Sequence, residues 1–270
     1  MSKQAVFLRS GALLLLASAL WALPSSAAQP RIVEVPAGPA FVKLPGDSET
    51  TARSGQSLKT NALLRTTKPG RMQVMLGNGR QFRMGGDAQL RLGASNVELL
   101  RGSIIGWIKP GTPRRSPFTI KTRLATASIQ GTTVFLEFTD EAFKVFSWEG
   151  TVQVETSNGR HFTLKSGQQL LLDLKRQIDE VSVPMDGLEA SLAELGGGIV
   201  TPPTPGRDGS RSPRSRYKDQ PDFTWEPPQA ISPEDAERRL QKSLLINGFS
   251  TPLETLSEIE RELGVSAPTP

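Results

Sequence analysis

The chain contains no cysteine and only one histidine, His161, in 270 residues. The lack of cysteine excludes disulfides, thiol nucleophiles, thiolate-bound zinc and iron–sulfur clusters. A lone histidine cannot build a multi-histidine metal site. His161 also stands in NGRHFTL, where alternation places it opposite Phe162 and Leu164 on the solvent face. No Ser–His–Asp arrangement surrounds it. No D-x-D-x-D-G loop offers calcium ligands, and no Walker or dinucleotide fingerprint is present. The Gly-rich stretch Met84–Asp87 joins strands and so lacks the helix N-terminus that cradles phosphate. Aromatics make up 6% of the chain and are not interleaved with basic residues, which argues against nucleic acid. Together these absences predict no catalytic, cofactor-binding or metal-binding residues, no cofactor and no enzymatic activity.

No apolar run after the first 28 residues is long enough to span a bilayer. Within those 28, Lys3 and Arg9 precede the apolar stretch Ala12–Leu23, and Ser26-Ala27-Ala28 supplies small residues for cleavage. This is the pattern of a secretory signal peptide, with cleavage expected after Ala28. It predicts a periplasmic or extracellular protein with no transmembrane span once cleaved. An uncleaved N-terminal anchor is the alternative. Export without cysteine means that the core alone must hold the fold.

Charge is unevenly distributed. Residues 31–135 carry 16 basic and 5 acidic side chains, whereas 136–200 carry 5 and 11. A basic half can attract an anionic envelope polymer through its summed field. The plainer reading is that outward-facing Arg and Lys keep a β surface soluble and guard its edges.

From Ile32 to about Leu174 hydrophobicity alternates with period two. Met72, Val74 and Leu76 lead to a turn at Gly77-Asn78-Gly79, then Phe82 and Met84 follow. Val152 and Val154 lead to Ser157-Asn158-Gly159, then Phe162 and Leu164 follow. Asn-Gly accepts the positive φ of tight hairpin turns. The stretch from Asn78 (NGRQFRMGGDAQLRL) aligns without gaps to that from Asn158 (NGRHFTLKSGQQLLL), with seven identities in 15 positions. These features predict an all-β main domain of stacked short strands and hairpins, either a β-roll or solenoid-like stack or a sandwich.

The expected organisation is a signal peptide (1–28), a lead-in strand (29–45), the β domain (46–174), a connector with a short helix at Asp186–Leu195 (175–196), a Pro/Gly/Ser-rich disordered linker (197–231), a helical hairpin (232–264) and a tail (265–270). Phe223 and Trp225 are the large apolar residues late in the linker, and docking on the sheet is expected of them. In the hairpin, Ser232 caps a helix with Leu240, Leu244 and Leu245 on its apolar stripe, closed by Gly248. Thr251, Pro252 and Glu254 read as a capping box for a second helix ending at Gly264. The stripe is too small to form a core alone and must pack on the β domain, another copy or a partner.

Among the carboxylates, Asp140 and Glu141 read as a hairpin tip. Glu149, beside Gly150, could pair with a cross-strand Arg and has no evident second carboxylate. Trp107 and Trp148 are core candidates, although exposed they would suit carbohydrate. Gly131, in Ala127–Phe138 (ASIQGTTVFLEF), has neither helix nor acid–base neighbours in sequence. It reads as a bend, a bulge or a point of close backbone approach, after which Thr132 and Thr133 restart a strand bearing Val134, Leu136 and Phe138.

Three ordered segments, SPFTIKTRLATASIQGTTVFLEF, FKVFSWEGTVQVET and FTLKSGQQLLL, resemble the FecR domain over roughly Gly46–Leu174. The matching positions include Phe118, Thr122, Gly131, Thr132 and Val134, then Glu149, Gly150 and Val152, then Gly167 and Gln168. Arg123 stands where the family often has proline, and Phe135 is displaced by one place from the usual aromatic. The resemblance implies a β-rich interaction module in which these residues are structural. FecR regulators proper resemble a cytosolic anti-sigma segment, a span and a periplasmic domain. The short stretch before the apolar run is expected to leave no room for that segment. The expectation is therefore an exported, non-enzymatic interaction or sensing module with an envelope protein partner and no nucleic acid. A binder of anionic envelope glycan and a carboxylate-based cell-wall hydrolase are the alternatives.

Overall fold

The computed structural model describes residues 29–77, 79–94, 96–112, 117–131, 133–174 and 223–267. The signal peptide, the connector, the Asp186–Leu195 helix, the linker as far as residue 222, Asn78 and Thr132 lie outside the described residues.

The described residues form one 15-stranded sheet followed by three short helices. The strands are β1 (Arg31–Ala37), β2 (Ala40–Lys43), β3 (Thr50–Thr51), β4 (Leu63–Thr66), β5 (Arg71–Met75), β6 (Arg80–Leu92), β7 (Asn96–Ile108), β8 (Phe118–Lys121), β9 (Ala125–Ile129), β10 (Thr133–Phe138), β11 (Ala142–Glu149), β12 (Val152–Thr156), β13 (His161–Leu164), β14 (Gln168–Asp173) and β15 (Gln229–Ala230). The all-β expectation holds. Pairing is antiparallel except between β7 and β8, which run parallel over Asn96–Glu98.

The repeated stretch is a repeated hairpin. Val74 pairs with Phe82 and Met72 with Met84 in β5–β6. Eighty positions later, Val154 pairs with Phe162 and Val152 with Leu164 in β12–β13. Both turns use a glycine at positive φ, Gly79 (φ 70°) and Gly159 (φ 83°). The parallel reaches Asp87 (φ 59°), which occupies the place that Gly167 (φ 74°) fills in the second copy.

β6 and β7, with 13 residues each, tie the sheet together. The first half of β6 pairs with β5 and its last residues with β4. The start of β7 pairs with β8 and its second half with β10. The β6–β7 ladder slips between Gly85 and Leu90. Gly102 (φ 92°) lies against this irregularity, and a Cβ there would stand 2.4 Å from Ala88 Cα. A bulge of this kind re-aims a long strand without ending it.

Alternation then divides side chains between two cores. Ile104, Phe143 and Val145 join Phe82, Phe118, Val134 and Val152 in the main cluster. Their neighbours Ile105, Trp107, Phe146 and Trp148 face the other way and form a second cluster with Leu240, Ile246, Leu253 and Ile259. The C-terminal segment thus packs on the β domain.

That segment departs from a two-helix hairpin. It contains α1 (Pro233–Lys242), α2 (Leu244–Asn247) and α3 (Leu256–Leu263). Ser232 Oγ caps α1 as expected, accepting from Asp235 N at 3.2 Å. The helix breaks at Ser243, which turns Leu244 outward to 61% exposure while Leu245 stays buried. The Thr251–Glu254 capping box does not form, and α3 begins only at Leu256. Glu254 is instead drawn to the sheet, where it accepts from Trp107 Nε1 (3.2 Å) and Gln81 Nε2 (2.7 Å). A tertiary contact outweighs the local signal, which is worth about 1 kcal/mol. Gly264 (φ 66°) ends α3 in the left-handed conformation, as expected.

Docking begins before the helices. Trp225 is buried edge-on against Phe143, with ring centroids 5.4 Å apart, and Phe223 packs against the main core. Gln229 and Ala230, within the stretch that composition reads as linker, pair with β14.

Candidate functional site

The second face of β5, β6, β10 and β11 is polar as well as aromatic, and the C-terminal segment covers it. Arg83 lies between Phe82 and Met84, so alternation turns it away from the main core. It is nevertheless fully buried. Its Nη1 donates to the carbonyls of Ile246 (2.8 Å) and Leu245 (3.2 Å), its Nη2 to that of Thr251, and its Nε to Gln73 Oε1 (2.8 Å). The guanidinium also lies over the rings of Phe249 and Trp107. A planar five-donor fork suits the carbonyls left open at the end of a short helix. Burial pulls its pKa down to about 10, with Glu34 and Glu254 acting in the opposite direction. It remains charged at physiological pH. Gln73 Nε2 donates to Gln81 Oε1, and Gln81 passes the network on to Glu254. Ser250 N adds a tether to Glu34 Oε1 at 2.8 Å.

The same face ends in a polar cleft of about 490 Å³. Its walls are the connection after β7 (Lys109–Thr112), the β9–β10 turn with Gln130 and Gly131, the β11–β12 turn with Gly150, and α3 with Glu258, Arg261 and Glu262. Glu149 forms part of the lining and is only 5% exposed. It has not found a cross-strand Arg. Thr133 Oγ1 donates to Glu149 Oε1 at 3.1 Å and shares a second hydrogen bond with Thr255 Oγ1. Burial pushes the Glu149 carboxyl up to about 7. The Glu262 and Glu258 carboxylates push it the same way, and the Thr133 hydrogen bond opposes them. α3 is anchored beside it: the Ser166 hydroxyl donates to Glu262 Oε2, and Gly150 N donates to the same oxygen at 2.8 Å.

The motif residues separate into groups. Gly131, Glu149 and Gly150 meet in the cleft. Phe118, Val134 and Val152 are buried in the main core. Thr122 shapes a turn, its Oγ1 accepting from Leu124 N and Ala125 N. Gly167 receives the C-terminal segment, its carbonyl accepting from Ile231 N at 3.0 Å. Gln168 closes the adjoining turn through Oε1, which accepts from Lys165 N at 2.8 Å. His161 is exposed, as alternation predicts. Arg83, Thr255, Glu258 and Glu262 carry no sequence signal for a shared site, because they come from distant segments.

Gly131 (φ 83°) and Gly150 (φ 71°) sit in left-handed conformations. Gly131 therefore makes a turn between two strands, after which β10 buries Val134, Leu136 and Phe138. Gly131→Ala and Gly150→Ala should each cost about 1 to 2 kcal/mol, the penalty of a Cβ in this region. Equal thermal midpoints for wild type and both variants would contradict this.

Taken together, the chain is a β domain that closes a polar cleft with its own C-terminal helices. Residues 62–153 match the family described as FecR protein. The match is narrower than Gly46–Leu174 and leaves out Gly167, Gln168 and the helices. Two crystal structures of a candidate anti-sigma factor from Parabacteroides distasonis are similar in part. One is 19% identical with a TM-score of 0.34, over 39% of this chain and 51% of that one. The other is 18% identical with a TM-score of 0.37, over 42% and 55%. The chain spans about half the length of these structures. No curated protein matches it.

Proposed function

We propose that the chain is an exported, non-enzymatic FecR-domain module that recognises a protein partner in the cell envelope, with the cleft at Gly131 and Gly150 as its recognition site. The observation that carries this reading is that two turns of the FecR domain and α3 from outside it enclose one polar cleft. Family-motif turns thereby meet a segment able to report occupancy. Concave sites with a few convergent polar groups are where ligands and partners bind. The leader supports export.

A second reading has one observation in its favour. Glu149, Glu258 and Glu262 bring carboxylates to the same cleft, as a cell-wall hydrolase would need. Glu262 is held by Gly150 N and Ser166, however, and Glu149 by Thr133, which suits docking better than catalysis.

The test places a photo-crosslinking residue at Thr151, on the cleft rim, or at Thr50, on β3, in intact cells. A single protein adduct from position 151, absent from position 50 and insensitive to salt, is expected. A salt-sensitive glycan adduct would favour the polymer-binding alternative. Turnover of cell-wall fragments that is lost in Glu149→Gln would establish the hydrolase. Identical adducts from both positions would overturn the cleft as the recognition site.

A further inference from the structure

A separate cavity of about 300 Å³ lies where α1 meets the sheet. Phe135, Phe146 and Trp148 supply its aromatic wall, and Lys144, Arg239 and Lys242 its rim. No carboxylate lines it. In a chain with few aromatics, three aromatic and three cationic side chains converge on one small space.

The cations are incompletely neutralised. Arg239 donates to the neutral Gln169 Oε1 at 2.9 Å and lies over the Phe146 ring, 5.3 Å from its centroid. Lys144 has one carboxylate nearby, Glu137 at 3.8 Å, and the pair is partly open to solvent. Lys242 is exposed and makes no ion pair among the described residues. Phe146 and Trp148 meet edge to face, with centroids 4.8 Å apart and planes at 86°. Trp148 is 3% exposed, and its buried Nε1 has no hydrogen-bond partner among the described residues.

We propose that this cavity binds a small organic anion with an aromatic body, its ring against the half-buried Phe135 beside the buried Phe146–Trp148 pair and its charged group between Lys242, Arg239 and Lys144. Aromatic faces and cations select such a molecule twice over, by stacking and by charge. The volume is at the lower limit for ligand pockets and admits a ring system with one headgroup, not a length of polypeptide. One wall comes from the sheet and part of the rim from α1 and the residue after it. A bound anion therefore bridges them and holds the C-terminal segment in place.

The probe is 2-naphthoate, titrated into the exported chain while the Trp148 indole N–H resonance is followed, with Trp148→Phe assigning that signal. Saturable shifts with a Kd on the order of 0.1 to 1 mM are expected for a ligand of this size. The neutral 2-naphthalenemethanol should bind about tenfold more weakly. Lys242→Glu should weaken naphthoate about fivefold or more, while Lys59→Glu, at an exposed site outside the cavity, should leave it unchanged. Saturating naphthoate should also slow proteolysis of the segment from residue 223 onward. Equal affinity for acid and alcohol, an unaltered Kd in Lys242→Glu, or no movement of the Trp148 resonance would overturn the assignment. So would a peptide ending in phenylalanine that binds tenfold tighter than naphthoate, because the occupant would then be a chain terminus.

Discussion

Replacing Arg83 with methionine is expected to release the C-terminal segment, at a cost of about 3 to 5 kcal/mol. The substitution keeps much of the length and removes the donors. The carbonyls of Leu245, Ile246 and Thr251 would then lie against the sheet without partners, and Gln73 would lose its donor. Each buried group left unpaired costs about 1 to 3 kcal/mol, so the total is dominated by what remains behind. Stacking on Phe249 and Trp107 is lost as well. Arg83→Lys keeps the charge but not the fork, and should recover only part of the loss. Urea unfolding and the rate of proteolysis within residues 223–267 measure the effect. Opening by 3 kcal/mol raises the exposed fraction about a hundredfold, and cleavage should rise with it. An unchanged unfolding midpoint and cleavage rate in Arg83→Met would show that the helices dock through apolar contacts alone.

Glu149→Gln is expected to act in the opposite direction and stabilise the protein above neutral pH. The folded carboxyl titrates near 7, above its ordinary value of 4.5. Below about pH 4.5 the group is protonated whether the chain is folded or not, and it contributes no penalty. Between about 4.5 and 7 the unfolded chain ionises while the folded one does not, so stability falls as pH rises. Above about 7 this contribution is constant. The shift corresponds to about 2 to 3 kcal/mol after allowance for screening by water in the cleft. Glutamine keeps the shape and can still accept from Thr133 while shedding the charge that Glu258 and Glu262 oppose. Arg261 and Lys109 also face the cleft. Thermal midpoints recorded from pH 4 to 8 should fall more steeply for wild type than for the variant. Parallel curves would mean that Glu149 ionises freely in the folded protein.

Much of the main domain was legible because alternation is a strong constraint. A one-residue slip in β6 would turn Phe82 and Met84 out of the core, so the pattern fixes both strand and face. Repetition of that pattern 80 residues later marks the second hairpin in the sequence itself. What alternation cannot say is whether the other face meets water. Arg83 and Gln73 look solvent-exposed in sequence and are buried, because a segment more than 150 residues away covers them. The same limit hid the cleft. Glu149 stood out beside Gly150, but Thr255, Glu258 and Glu262 reach it only after the C-terminal segment docks. The helix boundaries failed for a related reason: Glu254 had a better partner on the sheet than its own backbone.

The two long strands at the centre have a consequence for how the molecule comes apart. β6 belongs to one ladder with β5 and to another with β4, and β7 likewise joins β8 to β10. No cut through the sheet leaves either half with a complete set of neighbours. The duplicated hairpins therefore do not make two independent modules, and denaturation of the β domain should proceed as a single all-or-none event.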